Sequence, residues 1–199
     1  QPMQNFVDVS DGKHGVAILT KGLREYEVQD DDKRTIKLTL IRTHRAYMTA
    51  NSEMTPEELD QYTGQHSFGN MEYEYAIYPH SGDWEQGRVL QTAYQFKVPV
   101  KAIQGVTREG VLPSTSSLIH VEPAEKVMFS ALKQAENGEG YILRLWNTTD
   151  ETLDLTVSTI LPIKQVKRTR LDETALEELE LKDGKFSLKL TPHKIETFL

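Results

Sequence analysis

Cysteine is absent from all 199 residues of the sequence. No disulfide can therefore cross-link the fold, and no thiolate is available as a nucleophile or a metal ligand. This absence is compatible with a reducing compartment, and we expect a cytoplasmic location. Long apolar runs are also missing, because stretches such as Val16–Leu19 are far shorter than the roughly 20 residues that cross a bilayer. We therefore expect no membrane partner.

Basic residues are outnumbered, with 23 lysines and arginines against 30 aspartates and glutamates and a net charge of -7. A nucleic-acid-binding protein usually carries a basic surface, so we expect no nucleic-acid partner. The hydrophobic fraction of 38% is that of a globular protein with a sizeable core. The chain begins at Gln1 without a basic-then-apolar signal pattern, which predicts a piece of a longer polypeptide.

Recognised catalytic motifs are missing as well. There is no Gly-x-Ser-x-Gly turn for a serine nucleophile and no glycine-rich phosphate loop. Glycoside hydrolysis needs a pair of carboxyl groups, but 30 acidic residues offer so many pairs that their presence discriminates nothing. We predict no catalytic residue in this chain.

Six histidines remain as candidates for metal binding or proton transfer, and none has His-x-Asp or His-Glu-x-x-His spacing. His120 and Glu122 would share one face of a strand, and a turn would bring His80 close to Asp83. Either pair could bind a metal. A histidine that stabilises a surface or a turn is the more frequent case, so we predict no metal site.

Apolar and polar residues alternate along much of the chain, which predicts β-strands. The clearest case is residues 71–78, where four apolar residues share one face that is predicted to be buried and carboxylates occupy the other. The four are Met71, Tyr73, Tyr75 and Ile77. Further strands are predicted at residues 35–41, 141–146, 153–157 and 186–190.

Two segments predict short helices. Thr55 precedes a proline and two glutamates, the pattern of a capped helix start. After Asp83, apolar residues recur at helical spacing and predict a helix that ends before Pro99. Residues 171–181 are rich in leucine and glutamate and fit either a helix or a strand.

Closely spaced strands with tight turns favour antiparallel sheets, because parallel strands need long crossover connections. We predict an all-β fold with one or two short helices. A larger antiparallel, supersandwich-like β-sandwich is expected over residues 1–122, followed by a small C-terminal β-sandwich over residues 123–199. The boundary is placed near Pro123 because a compact series of hairpin-like segments follows it.

Aromatic residues can stack on sugar rings, although a core role is more frequent at alternating positions. The candidates are Tyr26, Tyr47, Tyr73, Tyr75, Tyr78, Trp84 and Trp146. Asn147-Thr148-Thr149 matches a glycosylation sequon but is also ordinary turn chemistry, which we favour.

Several stretches resemble the C-terminal region of the family 38 α-mannosidases, in particular bacterial-type, mannosylglycerate hydrolase-like members. They are QNFVDVSDG at 4–12, GVAIL at 15–19, GLREYEV at 22–28, LTLIR at 38–42 and EYEYAIYPHSGDW at 72–84. Residues 135–147 and 192–198 resemble the small terminal sandwich of that region. The resemblance spans nearly the whole chain, but none of these stretches is a catalytic signature.

This resemblance implies a supporting role in a retaining exo-α-mannosidase that uses zinc and an aspartate nucleophile on mannosides or mannosylglycerate-like compounds. It implies that the zinc ligands and the nucleophile lie in an amino-terminal catalytic domain, the expected partner of this region. It also implies that a loop of this region lends an arginine to the sugar site. The candidate substrate-binding residues are Arg42, His44 and Arg45, and a surface ion pair is the alternative role for Arg42.

Two other functions fit the same features. An autonomous carbohydrate-binding module would use the aromatic residues of a β-sandwich. A mutarotase-like sugar epimerase would need a histidine and a carboxylate facing one cleft, with His44, His80 and His120 as candidates. A homo-oligomer formed through the β domains is a further predicted partner.

Overall fold

The computed structural model describes residues 1–44, 55–59, 61–106, 109–111 and 113–199. Within these ranges the chain divides into two compact units, residues 1–101 (unit 1) and residues 102–199 (unit 2). Both consist mainly of antiparallel β-sheets, which confirms the predicted all-β class. The helices of the described ranges include none that is long and apolar enough to span a membrane.

Unit 1 contains a three-stranded sheet and a two-stranded ribbon. Its described strands are β1 (Phe6–Ser10), β2 (His14–Lys21), β3 (Tyr26–Val28), β4 (Ile36–Leu38) and β5 (Glu74–Ser81). Strands β1, β2 and β5 form the sheet in that order, and β3 pairs with β4 to form the ribbon. The ribbon packs on one face of the sheet, near Val7 and Ile18.

The short helix predicted after Thr55 is α1 (Pro56–Leu59). The Thr55 hydroxyl accepts a hydrogen bond from the Glu58 N–H at 3.3 Å, and the Glu58 carboxylate accepts one from the Thr55 N–H at 2.7 Å. These reciprocal bonds form a capping box, which satisfies N–H groups that the first helical turn leaves unpaired. A 3₁₀ helix follows at Thr63–His66.

A longer helix, α2 (Val89–Lys97), covers the face of the sheet opposite the ribbon. Its buried Val89 and Ala93 side chains pack against Ala17 and Leu19 of β2. As predicted, α2 ends before the next proline. Burial of each large apolar side chain contributes roughly 1.5–3 kcal/mol, so this contact fixes the helix on the sheet.

The buried face of β5 differs from the prediction. Ala76 and Tyr78 pack into the cluster beneath α2, and His80 lies on the same face. Tyr75 and Ile77, on the opposite face, are 53% and 65% exposed. The prediction that Tyr75 and Ile77 are buried is wrong for unit 1, because α2 covers the other face of the strand.

Unit 2 is a β-sandwich. Its described strands are β6 (Ile119–Glu122), β7 (Val127–Gln134), β8 (Tyr141–Asn147), β9 (Leu153–Thr159), β10 (Val166–Thr169), β11 (Ala175–Leu179), β12 (Lys185–Leu190) and β13 (Ile195–Phe198). Five of them form one sheet in the order β11-β10-β13-β8-β7, and three form the other in the order β12-β9-β6. The strands predicted at residues 141–146, 153–157 and 186–190 are thus confirmed.

The two sheets of unit 2 enclose one continuous core. Inward-facing Leu155 and Val157 of β9 belong to the same buried cluster as Leu145 of β8. The rings of Phe186 and Phe198, one from each sheet, lie 5.0 Å apart. Alternating inward side chains from two packed sheets are the arrangement predicted for the C-terminal part of the chain.

Residues 171–181, which fitted either a helix or a strand, contain β11. Its antiparallel pairing with β10 outweighs the helical preference of leucine and glutamate. At the start of unit 2, Val121 of β6 pairs with Val157 of β9. Strand β6, which precedes the boundary predicted at residue 122, therefore pairs within unit 2. The predicted division into domains is not tested by this pairing and remains a prediction.

Candidate functional site

The candidate substrate-binding residues lie beside the β3-β4 ribbon of unit 1. The Met3 N–H donates to the Arg24 carbonyl at 2.8 Å, and the Thr39 N–H donates to the Glu25 carbonyl at 3.0 Å. The first bond holds the N-terminal segment against the segment before β3, and the second holds the segment after β4 against the same segment. They bring the side chains of Glu25 and Arg42 within reach of each other.

Arg42 forms an ion pair in which Nη1 lies 3.2 Å from Glu25 Oε1. Its side chain is 78% exposed, so water screens the pair strongly. A guanidinium group has five N–H donors, and this contact engages one of them. Arg42 can therefore also donate to a sugar hydroxyl or a carboxylate. His44 is exposed, and Arg45 lies outside the described residues.

An open depression of about 520 Å³ lies next to Glu25. It is lined by Gln1, Pro2, Glu25, Tyr26, Glu27, Lys37, Leu38 and Thr39. Both carboxylates of this lining have cationic neighbours: Glu25 is paired with Arg42, and Glu27 Oε2 lies 3.8 Å from Lys37 Nζ. Charged groups arranged in this way suit hydrogen bonding to hydroxyl groups.

Sequence reasoning missed the charged neighbours of Arg42. Glu27 and Lys37 face each other in the register of the ribbon. Aligning the two strands as a hairpin would have found this pair, because opposite charges then stand directly across from each other. Glu25 precedes the paired residues of β3 and Arg42 lies beyond those of β4, so their contact had no comparable signal.

His80 is enclosed by its surroundings in unit 1. Its side chain is 1% exposed, and Nε2 lies 2.7 Å from Asp8 Oδ1, 72 residues away in sequence. Gly15 and Gly87 border the ring so closely that a Cβ atom at either position would overlap it. The predicted neighbour Asp83 instead accepts hydrogen bonds from two backbone N–H groups that follow it. The predicted His80–Asp83 pair is wrong, and His80 fills a packing position that a substrate cannot reach.

Two other histidine–carboxylate pairs are exposed. His120 Nε2 lies 3.3 Å from Glu122 Oε1 on one face of β6, as predicted, and His193 Nε2 lies 2.7 Å from Asp150 Oδ1. Among the described residues, no three or more His, Cys, Asp or Glu side chains form a group that could hold a metal ion.

Asn147, the sequon asparagine, is fully buried in unit 2. Its Nδ2 donates to the carbonyl oxygens of Glu151, Leu190 and Thr191 at 2.8–3.2 Å. Its Oδ1 accepts hydrogen bonds from the N–H and the hydroxyl of Thr149, both at 2.9 Å. The turn-stabilising role is therefore confirmed, and the folded chain does not present this amide for glycosylation.

Two exposed aromatic residues of unit 1 lie on opposite faces of its sheet. Tyr75 is on the ribbon side of β5, whereas the Trp84 ring lies 6.4 Å from Phe6, which packs on the α2 side. They cannot stack on the same sugar. Tyr78 and Trp146 are partly buried, and Tyr47 lies outside the described residues.

A hollow of about 600 Å³ opens at one end of the unit 2 sandwich. Its walls are mainly apolar and include Leu143, Val157, Phe186 and Phe198. Specific ligand sites usually combine an apolar wall with convergent polar groups that fix the ligand's orientation. The walls of this hollow do not indicate a particular ligand.

Comparison with known proteins assigns the family. Residues 126–198 match the model of the glycosyl hydrolases family 38 C-terminal β-sandwich domain. A solved α-mannosidase structure from Enterococcus faecalis matches 100% of this chain with a TM-score of 0.75 and 26% identity. This chain belongs to the C-terminal β-sandwich region of glycoside hydrolase family 38. The predicted family is confirmed.

Further relatives resemble the chain along almost its whole length. A putative mannosylglycerate hydrolase from Halalkalibacterium halodurans is 30% identical over 195 residues, and α-mannosidase 2C1 of Mus musculus is 24% identical over 199 residues. Each match covers 98% of this chain. The chain spans only 20% and 17% of these two relatives and 21% of the E. faecalis chain.

Proposed function

We propose that this chain is the non-catalytic C-terminal portion of a retaining, zinc-dependent α-mannosidase, located in the cytoplasm. The observation that supports this most is the likeness of 100% of the chain to an α-mannosidase structure of which it spans 21%. The catalytic groups would then lie in the remainder of the polypeptide. The two β units would support that catalytic domain.

Zinc has no suitable site among the described residues. A protein zinc site uses three or four ligands. The described histidine–carboxylate contacts are the pairs Asp8–His80, His120–Glu122 and His193–Asp150, and no third ligand joins any of them. We propose that the zinc ion is held by the remainder of the polypeptide.

Arg42 is the proposed contribution of unit 1 to sugar binding. Its ion pair with Glu25, which lines an open, charged depression, supports this role. A guanidinium held on one side by a carboxylate can donate to adjacent hydroxyl groups of a mannoside. Arg42 would bind and orient the sugar without taking part in bond cleavage.

Activity of the complete polypeptide tests the main proposal. The complete polypeptide should release the aryl alcohol from an aryl α-mannoside, and residues 1–199 alone should not. Release by residues 1–199 alone, or none by the complete polypeptide, would contradict the proposal. Heat of binding when mannose is titrated into residues 1–199 would favour an autonomous carbohydrate-binding module.

Kinetics of Arg42 variants test the proposed arginine role. In the complete polypeptide, Arg42→Ala should raise KM for the mannoside about tenfold with little change in kcat, because the lost contact serves binding. Glu25→Gln removes the ion-pair partner but keeps the guanidinium, so its KM should change less than threefold. Arg24→Ala is the matched control. Equal effects of Arg42→Ala and Glu25→Gln would show that Arg42 serves only the surface ion pair.

A further inference from the structure

An apolar patch lies on the face of the unit 1 sheet that α2 leaves uncovered. It consists of Val16, Tyr75, Ile77 and Pro79 and is called the β5 patch. Ile77 and Tyr75 are 65% and 53% exposed, and Val16 is 39% exposed. Val16 stands opposite Pro79 in the register of β2 and β5, so the patch is contiguous. Contiguous exposed apolar surface often marks an interaction site.

Exposure rises across the sheet along one row of residues. Val7, Ile18 and Ile77 are neighbours in register on β1, β2 and β5. Val7 is buried beneath the β3-β4 ribbon, Ile18 is partly buried, and Ile77 is largely exposed. The ribbon therefore covers this face only as far as β2 and leaves the β5 side bare.

The sequence of β5 is that of a strand covered on both faces. Ala76 and Tyr78 pack towards α2, and Tyr75 and Ile77 supply apolar side chains to the opposite face. Strands with one face in water usually carry polar residues on that face, whereas strands buried on both faces are apolar throughout. The residues of β5 thus match a second cover that the described residues of unit 1 do not supply.

Packing of a surface on the patch fits better than addition of a strand. The Gly82 N–H donates to the Lys13 carbonyl at 2.8 Å, in register with the β2-β5 ladder. Because hydrogen-bonded positions alternate, the even-numbered residues of β5 bond to β2 and the odd-numbered ones point away from it. Pro79 is one of these outward positions and has no N–H to offer an added strand.

Resting on the proposed function, we infer that the β5 patch docks against an apolar surface of the same polypeptide outside these 199 residues. The chain spans 21% of the α-mannosidase that it matches along its whole length. Most of the surface available to cover the patch therefore lies elsewhere in such a polypeptide.

Thiol labelling of the complete polypeptide tests whether the patch is covered. Because residues 1–199 contain no cysteine, Ile77→Cys and Asp32→Cys each add a single thiol to this region. Labelling with a maleimide, measured on the corresponding peptide by mass spectrometry, should be at least tenfold slower for native than for urea-unfolded Ile77→Cys. The exposed control Asp32→Cys should label within threefold of its unfolded rate. An equally small difference for Ile77→Cys would overturn the inference.

Photo-cross-linking identifies the cover. A benzophenone amino acid placed at position 77 of the complete polypeptide should yield an intramolecular cross-link to a peptide outside residues 1–199. A cross-link to residues 102–199, a cross-linked dimer, or no cross-link at all would overturn the inference. Wild-type α-mannosidase activity is measured separately, so a polypeptide that is inactive but cross-links as expected would refute the proposed function and leave the docking surface established.

Discussion

The two units differ in how their buried apolar residues are arranged. Unit 2 buries 11 apolar residues in one cluster between its two sheets. The described part of unit 1 buries 4 residues beneath α2 and 3 beneath the ribbon, in separate clusters, and leaves the β5 patch bare. Unit 2 thus has a single core between two sheets, whereas the described buried residues of unit 1 are divided between the two faces of one sheet.

The units also differ in their buried polar groups. In unit 2, Arg168 donates Nε and Nη2 to both carboxylate oxygens of Glu196, at 2.8 and 2.6 Å. The hydrogen bonds that Arg168 donates, first to Glu196 and then to Glu177, raise the pKa of Arg168 well above its ordinary value. In unit 1, by contrast, the Thr20 hydroxyl is buried without a partner among the described residues.

The largest expected effect is on folding of the separate units. Residues 102–199 alone should unfold in urea in a single cooperative transition, because their buried apolar residues form one core. Residues 1–101 alone should unfold over a broad range and bind a dye specific for exposed apolar surface. Circular dichroism and dye fluorescence measure both properties. Two equally cooperative transitions would contradict the contrast between the units.

Breaking the Arg168–Glu196 pair should destabilise unit 2 strongly. The Glu196 side chain is 6% exposed, so Arg168→Met leaves a buried carboxylate without its cation and lowers the free energy of unfolding by about 3 kcal/mol. Lys189→Met is the control, because the Lys189–Asp154 pair is largely exposed and should contribute no more than about 0.5 kcal/mol. Urea denaturation measures both, and similar losses would refute the distinction.

Enlarging Gly87 should disturb the packing of unit 1. Gly87→Ala places a methyl group against the His80 ring, which cannot move freely because it is enclosed and bonded to Asp8. We expect a loss of about 2 kcal/mol in the free energy of unfolding. Gly64→Ala is the control, since its Cβ would meet no atom within 4 Å. Equal melting temperatures of the two variants would show that the ring adapts.

The smallest expected effect is a change in the free energy of unfolding that has opposite signs at two buried threonines. Thr20→Val removes an unsatisfied hydroxyl and should raise the free energy of unfolding by about 1 kcal/mol. Thr197→Val should lower it by about 1 kcal/mol, because the Thr197 hydroxyl accepts a hydrogen bond from Arg144 Nε at 3.1 Å. Thermal and urea unfolding should therefore move in opposite directions for the two variants. A shift of the same sign in both would mean that the two hydroxyls are equally well satisfied.

Local features of the fold could be predicted from the sequence. Period-two alternation identified β8, β9 and β12, because strand pleating depends only on neighbouring residues. The Thr55–Glu58 capping box is equally local, since its two hydrogen bonds join residues three positions apart.

Features that depend on tertiary contacts could not be predicted in this way. The Asp8–His80 hydrogen bond joins residues 72 positions apart, so no spacing rule indicates it. Alternation showed that β5 has two different faces, but the position of α2 decides which face is buried. For the candidate site, the resemblance indicated Arg42, whereas its Glu25 partner follows from how the chain returns after β4.

The enclosure of His80 by Gly15 and Gly87 constrains any redesign of unit 1. These three positions share one small volume although they are far apart in the chain. A library that varies either glycine alone should yield few stable clones. A library that varies both glycines together with position 80 could replace the imidazole by a smaller side chain. A larger residue in place of the glycine of β2, or of the glycine in the turn before α2, would then fill the space.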